Sequence, residues 1–162
     1  MKALILGGSG FFGSVAARRL AQTGCFEQVL LATRDVSKVA ALVEELRGSA
    51  QAIELDLSDH SAMVDAARRA DIVVNLAGAA LETAVPAMRS AAEAGRQYCD
   101  IAAECDVLLQ AESVAEELEA TGNSFVVGAG FHPGVTDLLC PLQDMGMAAD
   151  DDVRPCGRPP RR

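Results

Sequence analysis

The chain has 162 residues, half of them apolar and only 4% aromatic, and a formal net charge of −9. This length suits one domain with a real core, and the charge argues against nucleic acid or an anionic membrane surface as a partner, since either would be repelled. Five cysteines with no C-x-x-C pair (Cys25, Cys99, Cys105, Cys140, Cys156) and two scattered histidines, His60 and His132, exclude an obvious disulfide framework or zinc site and point to a reducing cytoplasm.

Strands and helices alternate from the start. No secretory signal is visible, and no segment approaches the ~18 consecutive apolar residues of a membrane span. An apolar strand at 3–6 runs into a glycine cluster, Gly7, Gly8, Ser9, Gly10, Phe11, Phe12 and Gly13, and a helical pattern follows at once. The cluster fits both Gly-x-Gly-x-x-Gly, from Gly8, and Gly-x-x-Gly-x-x-Gly, from Gly7. Between a strand and a helix, such a loop offers backbone N–H groups to a dinucleotide pyrophosphate. Gly7 or Gly8 allows the tight turn, Gly10 the close approach of the ligand, and Gly13 the packing of helix on sheet. The first helix is expected over 11–22 with Phe12, Val15, Ala16 and Leu20 on one face.

The second strand, 29–33, ends at Thr33 and is followed by Arg34. An NAD site places a carboxylate about 20 residues past the glycines, for the ribose hydroxyls. Here a hydroxyl and a guanidinium would meet a 2′-phosphate, so the pattern favours NADP, with NAD possible if Asp35 serves the ribose and Arg34 is a surface residue. A second helix follows Asp35 and ends at Gly48. The third strand, 52–55, is followed by Asp56, either an acceptor for an adenine amino group or part of the turn in which Ser58 or Asp59 caps the third helix.

The fourth strand, 71–76, is strongly β-branched. Near its end Asn75 can hold neighbouring backbone or be purely structural, while Ala77 and Gly78 leave room for the middle of a dinucleotide. The fourth helix is expected over 83–94, with Pro86 near its first turn. Tyr98 and Asp100 lie on the fifth strand, 97–101, read with their side chains on alternating sides. Tyr98 lacks a lysine four residues on, so Tyr-x-x-x-Lys proton-transfer chemistry is absent, and it reads as a packing residue with a bonded hydroxyl. The fifth helix spans 105–120 and the sixth strand 124–127. After it comes Gly128-Ala-Gly-Phe-His-Pro-Gly-Val-Thr-Asp137, a loop facing the nicotinamide end, with a helix expected near Gly134. His132 is the weak catalytic candidate there. The cysteines read as small apolar core residues.

Six strands with intervening helices predict an α/β doubly wound Rossmann fold with a parallel sheet ordered 3-2-1-4-5-6. The domain is expected over 1–145. The segment 146–162, with three of the six prolines and little apolar content, reads as a disordered or non-native tail.

Gly7 to Ser14, Ala32-Thr-Arg-Asp35, Ala94-Gly-Arg-Gln-Tyr-Cys-Asp100 and the 128–137 loop together resemble the N-terminal half of saccharopine dehydrogenase-like oxidoreductases, over about residues 1–142. The resemblance implies an NAD(P)-dependent enzyme in which hydride passes to or from a carbon–nitrogen bond or related small-molecule substrate. It makes Gly7, Gly10 and Gly13 the pyrophosphate loop, Arg34 the 2′-phosphate contact and 128–137 the wall near the nicotinamide. It also implies a second, substrate domain that this chain is expected to lack, so that the chain alone is expected to be inactive and an apolar patch around Val135, Leu138 and Leu139 would favour a homodimer. A non-catalytic NADP-sensing protein of the atypical extended short-chain dehydrogenase type is the alternative reading.

Overall fold

In the computed structural model, residues 1–136 are described. The expectations for the tail, for Asp137, Leu138 and Leu139 and for Cys140 and Cys156 fall outside them.

Six strands, β1 (Lys2–Leu6), β2 (Gln28–Thr33), β3 (Ala50–Glu54), β4 (Ile72–Asn75), β5 (Gln97–Asp100) and β6 (Phe125–Val126), form one sheet in the order β3-β2-β1-β4-β5-β6. Every pairing is parallel, with β1 in register against Gln28 to Ala32 on one side and Ile72 to Asn75 on the other. This is the doubly wound arrangement expected from the alternation of elements.

The central strand is apolar because both of its faces are covered. Leu4 and Leu6 pack into one core with Leu30, Val73, Met88 and Val107, while Ile5 packs into the other with Val29, Leu31 and Ala17. Adjacent residues thus serve opposite layers, as the two-residue period of a strand dictates. Each fully buried leucine or isoleucine contributes about 1.5–3 kcal/mol relative to exposure.

The helices are α1 (Phe11–Gln22), α2 (Ala40–Glu45), α3 (His60–Arg68), α4 (Ala80–Glu93), α5 (Cys105–Ser113) and α6 (Ala115–Glu119), with a 3-10 turn at Val36–Val39 and a single wide turn at Phe131–Val135. Several differ from their sequence-based expectation. In α1, Gly13 and Ala17 are the buried residues, and Ala16 and Leu20 pack beside them. Phe12 and Val15 lie off that stripe and are exposed. Gly13, on the buried stripe, lies close against the Gly7 and Gly8 backbone. The second helix divides into the 3-10 turn and α2, and the fifth breaks at Val114 into α5 and α6. Helix α4 starts at Ala80, so Pro86 lies inside it rather than in its first turn. The sixth strand keeps only two residues of ladder. Cys25 and Cys105 are exposed and Cys99 is half-buried, against the expectation of core packing; Cys25 stands in the turn after α1 and Cys105 opens α5. Among the described residues no helix is long and apolar enough to cross a membrane.

Candidate functional site

The chain winds one way through β1, β2 and β3, then returns to place β4 on the other side of β1. A crevice opens at the carboxyl edge where the winding reverses. There the structure has a cleft of about 610 Å³ lined by the loops after β1, β2, β3 and β4.

The glycine loop is built by packing at three of its four glycines. Gly7 adopts φ +80°, in the left-handed region, and a Cβ there would come 2.7 Å from the Ala77 Cα. A Cβ on Gly8 would come 2.9 Å from that of Leu31, and the Gly8 N–H donates to the Ala32 carbonyl at 3.0 Å. A Cβ on Gly13 would collide with the Gly7 carbonyl oxygen. Gly10 is different: a Cβ there would meet only that same oxygen, at 3.3 Å. Gly10 is also the N-cap of α1 and supplies no side-chain cap. The first-turn N–H groups of a helix have no intrahelical acceptor. They add their donors to the positive end of the helix dipole, a ready site for a phosphate. Gly10 is therefore glycine at a position where the protein's own packing constrains it less than it does Gly7, Gly8 or Gly13, in front of the first-turn donors.

At the outer end of the cleft, the Thr33 hydroxyl lies 3.2 Å from Ser9 Oγ and accepts from the Asp35 N–H at 3.3 Å, joining the β2 turn to the glycine loop. Asp35 Oδ1 accepts from the Ser37 hydroxyl at 2.6 Å and from the Ser37 N–H at 3.0 Å, capping the 3-10 turn. These bonds hold its carboxyl below the ordinary aspartate range. Asp56 Oδ1 likewise accepts from the Ser58 N–H and hydroxyl, both at 2.9 Å. Those bonds lower its pKa, and the nearby Arg34 guanidinium adds to the shift. Arg34 and Lys38 both line this end.

Beneath the loop after β4 lies a buried polar network. Asn75 Oδ1 accepts from the Ala77 N–H at 3.2 Å, and its Nδ2 lies 3.3 Å from the Tyr98 hydroxyl. Tyr98 donates to Asp100 Oδ2 at 2.9 Å. Tyr98 and Asp100, two residues apart, thus share one face of β5, correcting the alternating placement read from the sequence. Burial, and then the Asp100 charge beside it, push the Tyr98 pKa far up, so the hydroxyl stays protonated and donates.

Of the residues singled out from sequence, Gly7, Ser9, Gly10, Thr33, Arg34, Asp35, Asp56, Ala77 and Gly78 line the cleft. Gly8 and Gly13 lie beneath the loop, and Asn75 stands below the Ala77 backbone. Phe11 and Phe12 do not line the cleft; they form an edge-to-face pair, centroids 5.4 Å apart, exposed at 77% and 59%. His132 is exposed on the Phe131–Val135 turn, with Nδ1 2.8 Å from Thr136 Oγ1, and it does not line the cleft. Sequence reasoning missed Lys38, Glu82 and Thr83, and read Ser58 only as a helix cap. No sequence signal marked Lys38, which reaches the cleft across a turn that Asp35 and Ser37 close through side-chain hydrogen bonds.

The family model for the saccharopine dehydrogenase NADP binding domain matches residues 3–127. A Mycobacterium tuberculosis protein, recorded in strains H37Rv and CDC 1551 and provisionally named a trans-acting enoyl reductase, is 30% identical over 139 residues, covering 83% of this chain and 33% of that protein. The chain thus spans about a third of the length of the curated relatives it matches. Among solved structures, apo saccharopine dehydrogenase (L-Glu forming) from Saccharomyces cerevisiae superposes with a TM-score of 0.74 at 22% identity, over 89% of this chain and 31% of that one. A short-chain dehydrogenase from Streptomyces avermitilis gives 0.60 at 18% identity, over 78% of this chain and 65% of that one. At these identities the superpositions speak to the fold.

Proposed function

Because the chain belongs to the saccharopine dehydrogenase NADP-binding domain family and its cofactor is therefore NADP, we propose that NADP(H) lies along the cleft at the carboxyl edge, with its pyrophosphate over Gly10. The α1 N-terminus and the loop backbone hold the pyrophosphate; Gly7, Gly8 and Gly13 shape that loop from below. Arg34 and Lys38 hold the 2′-phosphate, Asp56 accepts from the adenine amino group, and Ala77 and Gly78 give the backbone of the dinucleotide room. The observation that carries this reading is Gly10: packing constrains it less than the other three glycines of the loop, and a side chain there would stand at the helix N-terminus where a phosphate must approach.

When bound, the cofactor supplies hydride chemistry between its nicotinamide and a substrate carbon. The residues of this chain bind and orient it. Arg34 and Lys38 both line the outer end of the cleft, and two cations there support a 2′-phosphate as the ligand at that end.

For the whole protein we infer an NADP(H)-dependent oxidoreductase acting on a small molecule. A carbon–nitrogen bond follows from the family resemblance. The name of the 30%-identical relative supports a second reading, an enoyl carbon–carbon double bond. Calorimetric titration of the chain tests the binding step. NADPH should bind at least ~10-fold more tightly than NADH, and Arg34→Ala should remove ~10–100-fold from NADPH affinity alone, the range expected for a charge-assisted contact. Equal weakening of both nucleotides would refute the assignment of Arg34. NADPH consumption by the complete protein with an enoyl thioester, against a keto acid plus an amino acid, separates the two substrate readings. Tight binding with no turnover in either arm would favour the NADP-sensing alternative.

A further inference from the structure

We propose that Asn75, Tyr98 and Asp100 are positioning residues that link occupancy of the cofactor cleft to the turn after β6. The inference rests on the reading of the cleft as the NADP(H) site. At the cleft end, Ala77 and Thr83 both line the cavity. Asn75 holds the Ala77 N–H through Oδ1, and its Nδ2 lies 3.4 Å from Thr83 Oγ1 and 3.3 Å from the Tyr98 hydroxyl. In the middle, the single hydroxyl proton of Tyr98 goes to Asp100 Oδ2 at 2.9 Å, leaving the oxygen to accept from Asn75. At the far end, Asp100 Oδ1 accepts from the Ala102 N–H at 3.1 Å and from the Gly128 N–H at 2.8 Å. The Asp100 main-chain carbonyl accepts from the Ala129 N–H at 2.8 Å.

The three residues are exposed at 4%, 1% and 2%. At this depth, a displacement that breaks one link leaves a buried donor or acceptor unpaired, so the network holds one arrangement or loses several bonds together. Its far end is fixed tightly as well. Gly128 takes φ +78°, and a Cβ on Gly130 would come 2.9 Å from the Ile101 carbonyl oxygen. Beyond these glycines the chain turns through Phe131–Val135, which carries Phe131 and His132 on its exposed side. A dinucleotide that restrains the backbone at Ala77 therefore restrains Asn75, and through the hydroxyl and the carboxylate it restrains Gly128 and the turn that follows.

Amide hydrogen exchange of the full chain, with and without saturating NADPH, tests this. Saturation should slow exchange at Gly128 and Ala129 about 10-fold and leave Ser124, at the opposite end of β6, within about 2-fold. Tyr98→Phe, measured at NADPH saturation so that any weakened binding does not enter, should lose the slowing at 128 and 129. NADPH binding to the unaltered chain without that slowing overturns the proposal, as does undiminished slowing in Tyr98→Phe. If that variant fails to fold, Asn75→Asp, which keeps an acceptor for the Ala77 N–H and removes the donor to the Tyr98 hydroxyl, takes its place with the same two outcomes. A titration showing no NADPH binding at all overturns the reading of the cleft, and this inference with it.

Discussion

A Cβ on Gly13 would overlap the Gly7 carbonyl oxygen and come 2.9 Å from the Gly8 Cα, both of them backbone atoms that cannot swing aside. Gly13→Ala should therefore lower stability by about 1–3 kcal/mol, the range for forced overpacking, read as an earlier midpoint in chemical denaturation. Gly10→Ala meets only one atom, at 3.3 Å. It should lower the midpoint less than Gly13→Ala does, since its tight contact asks for a small shift rather than relief of a collision, while weakening NADPH binding at least ~10-fold, because the methyl group stands before the helix donors. If both variants lose stability alike, the division of labour within the loop is wrong. The left-handed turn at Gly7 and the close packing at Gly13 were legible in the motif, since the spacing of the glycines encodes the geometry itself. Lys38 was not, because its approach to the cleft depends on a turn that Asp35 and Ser37 close through side-chain hydrogen bonds.

Among the elements, the order of the strands was legible because right-handed crossovers leave few ways to wind alternating strands and helices. Helix boundaries were less so. The N-cap of α4 is Ala79 in the left-handed region (φ +55°), where the sequence offers no glycine or asparagine as a signal. The apolar pattern misplaced Phe12 and Val15, which are exposed, because the small residues Gly13 and Ala17 form the buried stripe of α1. The cap of α3 is conventional: Asp59 accepts from the Ala62 N–H at 3.0 Å. Asp59→Ala should cost about 1 kcal/mol, checked by urea denaturation. The 3-10 turn and the turn before α3 carry a pH dependence as well. Hydrogen bonds from Ser37 and Ser58 lower the pKa of Asp35 and Asp56. A carboxylate whose folded pKa lies below its unfolded value stabilises the fold at pH above the unfolded value. That contribution disappears as the pH falls through the folded value. Stability should therefore drop on acidification through and below the ordinary aspartate range. Because both groups are exposed the effect should be small, and Asp35→Asn together with Asp56→Asn should flatten the profile there. An unchanged acid limb in the double variant would count against these two bonds as its source.

At the scale of the molecule, the sheet consists of two halves, β1 to β3 and β4 to β6, that meet where β1 pairs with β4. The cleft draws on both: Gly10, Thr33, Arg34 and Asp56 come from the first half, Ala77, Gly78 and Thr83 from the second. A ligand bound there touches loops that are brought together only in the folded chain, so it has little affinity for the unfolded state and stabilises by mass action. At 100 times its Kd, NADPH should add about 2.7 kcal/mol. For a domain of this size that corresponds to a rise in Tm of roughly 5–10 °C. The chain has no tryptophan and a single tyrosine, which makes far-UV circular dichroism the suitable probe. NADH at the same concentration should raise Tm by several degrees less, because it brings no 2′-phosphate to Arg34 and Lys38. In Arg34→Ala the two nucleotides should converge. Equal shifts from both in the unaltered chain would mean that the cations at the outer end of the cleft do not read that phosphate, while the ligand still joins the two halves of the sheet.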